Sequence, residues 1–377
     1  MSLDLSAIPI TDHHAHSLLR QPPATPHDWL RFFTESGEPA LISNHVPNTL
    51  FFRYAVKALA GLLGCAPTPE AVLAERDRMG QRAWIEQMIR DANIAIMLMD
   101  YGFRGEESYD HAELKELLPC RIEPILRLEA LAQELIVKHD TFDQALDAFV
   151  AQVKGARAAG YVALKSIIAY RTGLAIQEWA RDEAKAAFQP VKEQARREGR
   201  VRLATAPIND TLILQALDIA ERQHMPFQFH TGYGDSDVDL RLANPLHLRP
   251  LLQSGKYSNV PWVILHMGYP YVREAGYLAS IYANVNVDLS LAIPFAVSEA
   301  SLLLTQLFGL APTSKLLYAS DGFSVPELFW LGAKVGRAGL ARVLDQQVTD
   351  GVLTPAEAHT AAEQMLFRNA QEIYGLQ

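Results

Sequence analysis

Short β-rich runs recur along this chain with helical patterns between them, and that alternation constrains the fold more than any other feature. The runs are IPITDHHAH (8–16), NIAIMLMD (93–100), RIEPILRL (121–128), YVALKSII (161–168), PFQFHTG (226–232), PWVILHMG (261–268), NVNVDLSL (284–291) and LLYASDG (316–322). Strands that alternate with helices read as repeated βα units around a parallel sheet. Eight such strands close a barrel, so the fold class is α/β, a distorted (β/α)8 TIM barrel. Between the runs, DQALDAFVAQVKGARAAG places Ala145, Phe149, Val153 and Ala156 on one helical face. NDTLILQALDIAERQH reads as another helix, with Asn209 or Asp210 as its N-cap.

The spacing is uneven, because the gap between the first and second runs is much the longest. That segment, about residues 21–87, contains helix-like pieces such as LFFRYAVKALAGLLG and TPEAVLAERDRMG. It reads as a helical insertion in the first βα loop, on the face where barrel enzymes build their sites. A cap within one domain spanning 1–377 is expected, since no linker, repeat or low-complexity tract interrupts the chain. PPATP and APTPE read as turns.

Composition removes several function classes. Net charge is −9 and no Lys/Arg run is dense enough for a nucleic-acid footprint. Two cysteines, Cys65 and Cys120, exclude a disulfide scaffold or a CxxC zinc site, and each is expected to be a small buried residue. No apolar run reaches membrane-span length, and the N-terminus lacks the pattern of a secretory signal. The expectation is a cytoplasmic protein acting on a small molecule, with no nucleic-acid or membrane partner and a homodimer as its assembly.

TDHHAH (11–16) puts three of the twelve histidines into four consecutive residues. A strand turns alternate side chains to opposite faces. His14 and His16 would therefore point together and could grip one metal ion, while His13 should face the other way and pack behind the barrel. The functional end of a (β/α)8 barrel is the C-terminal end of its strands. Read in order, those ends carry His14 and His16, Lys165, His230, His266 and Asp321. Four histidines, a lysine and an aspartate at corresponding ends point to a metal centre much more strongly than TDHHAH does alone.

D-x-H-x-H on the first run, histidines ending the fifth and sixth, and aspartate ending the eighth resemble the metal-dependent amidohydrolase superfamily. More narrowly, LKSIIAYRTGL, FHTGYGDSDVDL, ANPLHLRPLL, GYPYVREAGYLA and LLYASDGFSVPEL resemble the branch related to nodulin/glutamine-synthetase fusion proteins, within amidohydrolase-related family 2. The resemblance implies one or two divalent ions, zinc by first expectation although manganese, iron and cobalt suit the same ligands. It implies His14, His16, Lys165, His230, His266 and Asp321 as ligands, with Asp321 and His266 as the catalytic groups. Asp321 would take a proton from metal-activated water and return it to the leaving group. Lys165 matches the lysine that is carbamylated in binuclear members, where an unmodified ammonium would be repelled by a dication. Around this centre, Tyr170, Arg171, Tyr233, Asp235, Tyr271 and Arg273, with Arg53 reaching in from the insertion, are expected to recognise substrate, arginine suiting a carboxylate.

The first functional expectation is a hydrolase of a C–N, amide-type bond in a small carboxylate-bearing molecule, a γ-glutamyl amide or N-acyl amino acid. The alternatives are a mononuclear decarboxylase of an unsaturated or aromatic carboxylate, in which a bridging carbamate has no role, and a catalytically silent binding module.

Overall fold

A computed structural model describes residues 3–103, 105 and 107–376. Eight parallel strands lie side by side in sequence order: β1 (Ile10–His16), β2 (Ile94–Asp100), β3 (Arg121–Arg127), β4 (Ala163–Ser166), β5 (Phe227–Phe229), β6 (Trp262–Ile264), β7 (Val285–Asp288) and β8 (Leu316–Leu317). The chain leaving β8 bonds back to β1 through His13 N to Tyr318 O, Asp321 N to His14 O and His16 N to Gly322 O. These bonds join the last strand to the first, and the expected (β/α)8 barrel is what forms. Every strand is shorter than its sequence run or equal to it, because several site residues lie just past the last ladder bond.

Alternation fills the barrel. Ile96 and Leu98, Ile125, Ala163, Val263, Leu265 and Leu317 make one buried cluster with Ala370, Tyr374 and Leu376 of the C-terminal segment. The helix Asn369–Tyr374 thereby packs against this cluster. One step further along the same faces come Asp100, Arg127 and Lys165, so the apolar column ends in a charged layer.

The helix over Phe142–Gly155 buries Ala145, Phe149 and Val153, as its periodicity predicts. The helix after β4 that was expected to be capped by Asn209 or Asp210 instead begins at Ala206, with Thr205 as N-cap and Pro207 in its first turn. Side-chain capping by threonine explains the two segments read as turns. Thr25 and Thr68 each cap a helix whose first residue is proline, Pro26–Leu30 and Pro69–Met79. Cys65 and Cys120 are free and half-buried rather than fully buried.

Between β1 and β2 the chain forms helices at Pro26–Leu30, Pro39–Asn44, Leu50–Leu63, Pro69–Met79 and Gln81–Asp91. Aromatic packing holds the segment together: Trp29, Phe33, Phe51 and Phe52 are buried, with the Trp29 and Phe33 rings 4.9 Å apart and those of Phe33 and Phe52 5.0 Å apart. Phe51 meets Phe295 at 5.0 Å and Phe32 meets Phe323 at 6.2 Å, which docks the segment on the loops following β7 and β8. Among the described residues no helix is long and apolar enough to cross a membrane.

Candidate functional site

The first strand delivers its histidines through a bulge. Asp12 pairs with Met97 and Ala15 with Met99, so His13 and His14 together oppose only Leu98. The extra residue breaks simple alternation and corrects the expectation for His13. Its ring points into the barrel, where Nδ1 meets the Tyr374 hydroxyl at 3.0 Å and Nε2 lies 3.3 Å from Oδ2 of Asp288. Gln228 of β5 donates to the His13 carbonyl at 2.9 Å and to the Tyr374 hydroxyl at 2.8 Å. His14 and His16 still converge, one step above.

Asp321 is where they meet. Its Oδ1 lies 3.2 Å from Nε2 of both His14 and His16, and its Oδ2 lies 3.8 Å from Nδ1 of His266. Lys165 Nζ sits 3.1 Å from His14 Nε2. His266 and His230 adjoin each other, Nε2 to Nδ1, at 2.8 Å. His266 is held by Asp288, which accepts from its backbone N–H at 2.5 Å, and by the Ser290 hydroxyl at 2.7 Å from Nδ1. His16 is fixed by its Nδ1 against the Asp100 carbonyl at 2.9 Å. His266 and Asp321 both have left-handed backbones, φ 65° and 51°. Such conformations are uncommon for side-chain-bearing residues and cluster at functional sites.

Burial sets the protonation states. It pushes His14 down to about 3 and His266 down to about 4, with Lys165 adding to the shift at His14, so both rings are neutral. Lys165 is lowered to about 8 by burial and by the Arg127 guanidinium. For Asp321 burial works the other way, but the surrounding histidines outweigh it and hold the carboxyl well below its ordinary range. Two neutral imidazoles and a carboxylate offer donor atoms within 4.8 Å of one another at His14, His16 and Asp321. His230 adds a buried Nε2 with no partner among the described residues. This donor set fits a divalent transition-metal ion.

A cavity of about 300 Å³ opens above these groups. Besides all six strand-end residues, its wall includes Tyr170, Arg171 and Asp235, as the sequence led us to expect. Arg53, Tyr271 and Arg273 do not line it. Arg53 bonds within its own segment to Asn48 and the Pro47 carbonyl, and the Tyr271 hydroxyl donates to the Leu240 carbonyl. Tyr233 lines an adjoining recess with Tyr269 and Phe295.

The cavity also contains residues that sequence reasoning missed: Glu35, Arg127, Glu129, Gln133, Arg202 and Asp237. Arg127 donates from Nε to Asp100 at 2.7 Å, and that pair ends β2 and β3. The strand-end rule that found Lys165 would have found it too. Arg202 donates to Asp237 at 2.7 Å and to the Tyr170 carbonyl at 3.4 Å, beside Arg171, whose Nε is buried with no partner among the described residues. Burial and the neighbouring Arg202 charge lower the Arg171 pKa, the mark of two cations sharing a space that suits an anion. Neither Arg202 nor Glu35 carries a local sequence signal.

Comparison with known proteins agrees with this geometry. A family profile described as Amidohydrolase matches residues 141–376. The Protein fluG of Emericella nidulans is 32% identical over 407 residues, which cover 98% of this chain and 46% of that protein, so the chain spans about half the length of the curated relative it matches. A crystal structure from Lactobacillus casei ATCC 334, provisionally described as a metal-dependent hydrolase, superposes with a TM-score of 0.90 at 30% identity, covering 100% of this chain and 98% of that one. The uronate isomerase of Thermotoga maritima shares the fold at a TM-score of 0.68 and 14% identity, over 98% and 95% of the two chains.

Proposed function

The chain belongs to the amidohydrolase family, and from that membership we propose that it is a metal-dependent hydrolase of an amide-type C–N bond in a small carboxylate-bearing substrate, with γ-glutamyl amides and N-acyl amino acids as the candidate classes. The observation that carries this reading is the convergence of His14, His16, Asp321 and Lys165 beneath a cavity whose wall holds Arg171 and Arg202. A divalent ion, zinc by preference, would be held by His14, His16 and Asp321, with His230 and His266 beside it. When bound it would supply a Lewis acid that acidifies water and polarises a carbonyl.

The chain's own groups divide the remaining work. Asp321 accepts the proton of the attacking water and returns it to the departing nitrogen, a role for which it is ionised and placed among the donors. His266, fixed by Asp288 and Ser290, supports the developing charge on the carbonyl oxygen together with His230. The Nε of Arg171, unpartnered among the described residues and with Arg202 alongside, receives a carboxylate and sets the distance between that group and the bond to be cleaved. Lys165 carries a carbamate: its neutral amine adds to CO2 and releases one proton, which replaces a cation facing His14 with an anion.

Elemental analysis and an assay panel test the proposal. Protein purified without chelator, in bicarbonate, should hold about two divalent ions per chain and hydrolyse at least one γ-glutamyl amide or N-acyl amino acid. Native mass spectrometry should find one CO2 on Lys165. Inactivity across the panel with a full metal complement would remove the hydrolase reading. The second reading, a mononuclear decarboxylase, is favoured by the fact that only His14, His16 and Asp321 form the tight donor group among the described residues. One ion per chain with unmodified Lys165 would put it first.

A further inference from the structure

The segment between β1 and β2 contributes one charged side chain to the cavity wall, Glu35. It lies in the stretch between the single 3-10 turn Arg31–Phe33 and the helix Pro39–Asn44. Phe32 on Phe323 and Phe33 among Trp29, Phe51 and Phe52 anchor the chain just before it, so its position is set by packing and not by its own bonds. Oε1 of Glu35 has no exposed surface and no hydrogen-bond partner among the described residues. A buried, unbonded carboxyl oxygen is costly, and such groups persist where a ligand completes them. The charges that act on Glu35 are Asp321 and Asp235, both acidic, and with burial leading they push its carboxyl up to about 8. Among the described residues no guanidinium or ammonium is one of them. The Tyr170 phenol shares the cavity wall with Glu35.

Asp235 joins this corner to the arginines: burial raises its carboxyl, and the Arg171 and Arg202 charges draw it back down. The cavity therefore has three adjoining ends: the donor group at Asp321, the guanidinium groups of Arg171 and Arg202, and the carboxyls of Glu35 and Asp235 beside Tyr170. Carboxylates with aromatic faces beside them are the usual surroundings of a bound ammonium.

We propose that Glu35, with Asp235, forms a subsite for a protonated primary amine, so that the substrate is a zwitterion with a free ammonium as well as a carboxylate. The inference rests on the hydrolase reading above and sharpens it. An N-acyl amino acid, whose nitrogen is a neutral amide, leaves Glu35 unpaired. A γ-glutamyl amide, with its α-amine free, satisfies all three ends at once. Glu35 is then a specificity-determining residue supplied by the first βα loop.

The test is a matched pair of probes, L-glutamate and glutarate, which differ only in the amine. Binding is measured by calorimetry on the metal-loaded full chain. The expected result is at least about tenfold tighter binding of L-glutamate by the wild-type protein. Glu35→Gln should bring the two ligands to within about twofold while leaving glutarate affinity, metal content and Tm as they were. Asp235→Asn, on a different loop, is the second variant and should reduce the preference in the same direction, so a folding defect in one does not decide the matter. Equal binding of the two probes by the wild type overturns the amine subsite. If both bind equally, the carboxylate-recognising reading survives; if neither binds, both fall. Discrimination that persists undiminished in Glu35→Gln and Asp235→Asn also overturns it.

Discussion

At the scale of single residues, the site depends on positions whose backbones ordinary side chains avoid. His266 and Asp321 both adopt left-handed φ, and each is pinned from outside, His266 by Asp288 and Asp321 by the bond from its N–H to the His14 carbonyl. Asp321→Asn keeps the shape and removes the proton acceptor. It should lower kcat by about 10²–10⁴ with little change in KM, read from steady-state kinetics on whichever amide the wild type turns over. Gly232 is the structural counterpart. At φ 65° a Cβ there would fall 2.2 Å from the Tyr269 carbonyl, between the loops bearing His230 and His266. Gly232→Ala should destabilise the protein by about 1–3 kcal/mol in chemical denaturation and weaken metal retention with it. The residue types and strand-end positions of His14, His16, Lys165, His230, His266 and Asp321 were all legible in the sequence. Glu35 and Arg202 were not, because nothing local distinguishes a glutamate or arginine that reaches a cavity from one that faces water.

At the scale of elements, the sequence showed where strands run but not how they are paired. A single extra residue in β1 turns His13 inward, where strict alternation sends it out. Bulges of this kind depend on the partner strand, which a period-two reading of one strand does not contain. The consequence is a buried polar layer beneath the site, in which hydrogen bonds join Gln228, Tyr374 and His13 and the His13 ring faces Asp288. Tyr374→Phe deletes the hydroxyl that both Gln228 and His13 use. It should cost about 1–3 kcal/mol in denaturant-induced unfolding, with KM unchanged. Helix starts were misread for a related reason. Thr25, Thr68 and Thr205 precede Ala-Pro or Pro rather than an apolar-periodic residue, so capping by Thr with proline in the first turn looked like a loop.

At the scale of the whole molecule, eight βα units and a long helical segment after the first were legible from periodicity and spacing. What that segment does was not, since its docking on Phe295 and Phe323 depends on aromatic contacts across hundreds of residues. Because the donor group draws on β1 and on the chain after β8, a bound ion would stabilise the folded state as a whole. Dialysis against a chelator should lower Tm by roughly 5–15 °C, and restoring the metal should recover it. The seam between first and last strands has a further consequence, for the order of events in synthesis. Asp12 and Ser320, which bond across it, are 308 positions apart in sequence. A ribosome would finish nearly all the strands before His14 could meet Asp321. A nascent chain therefore carries His14 and His16 without Asp321 until the eighth strand has been made, and completes the donor group in one late, long-range closure.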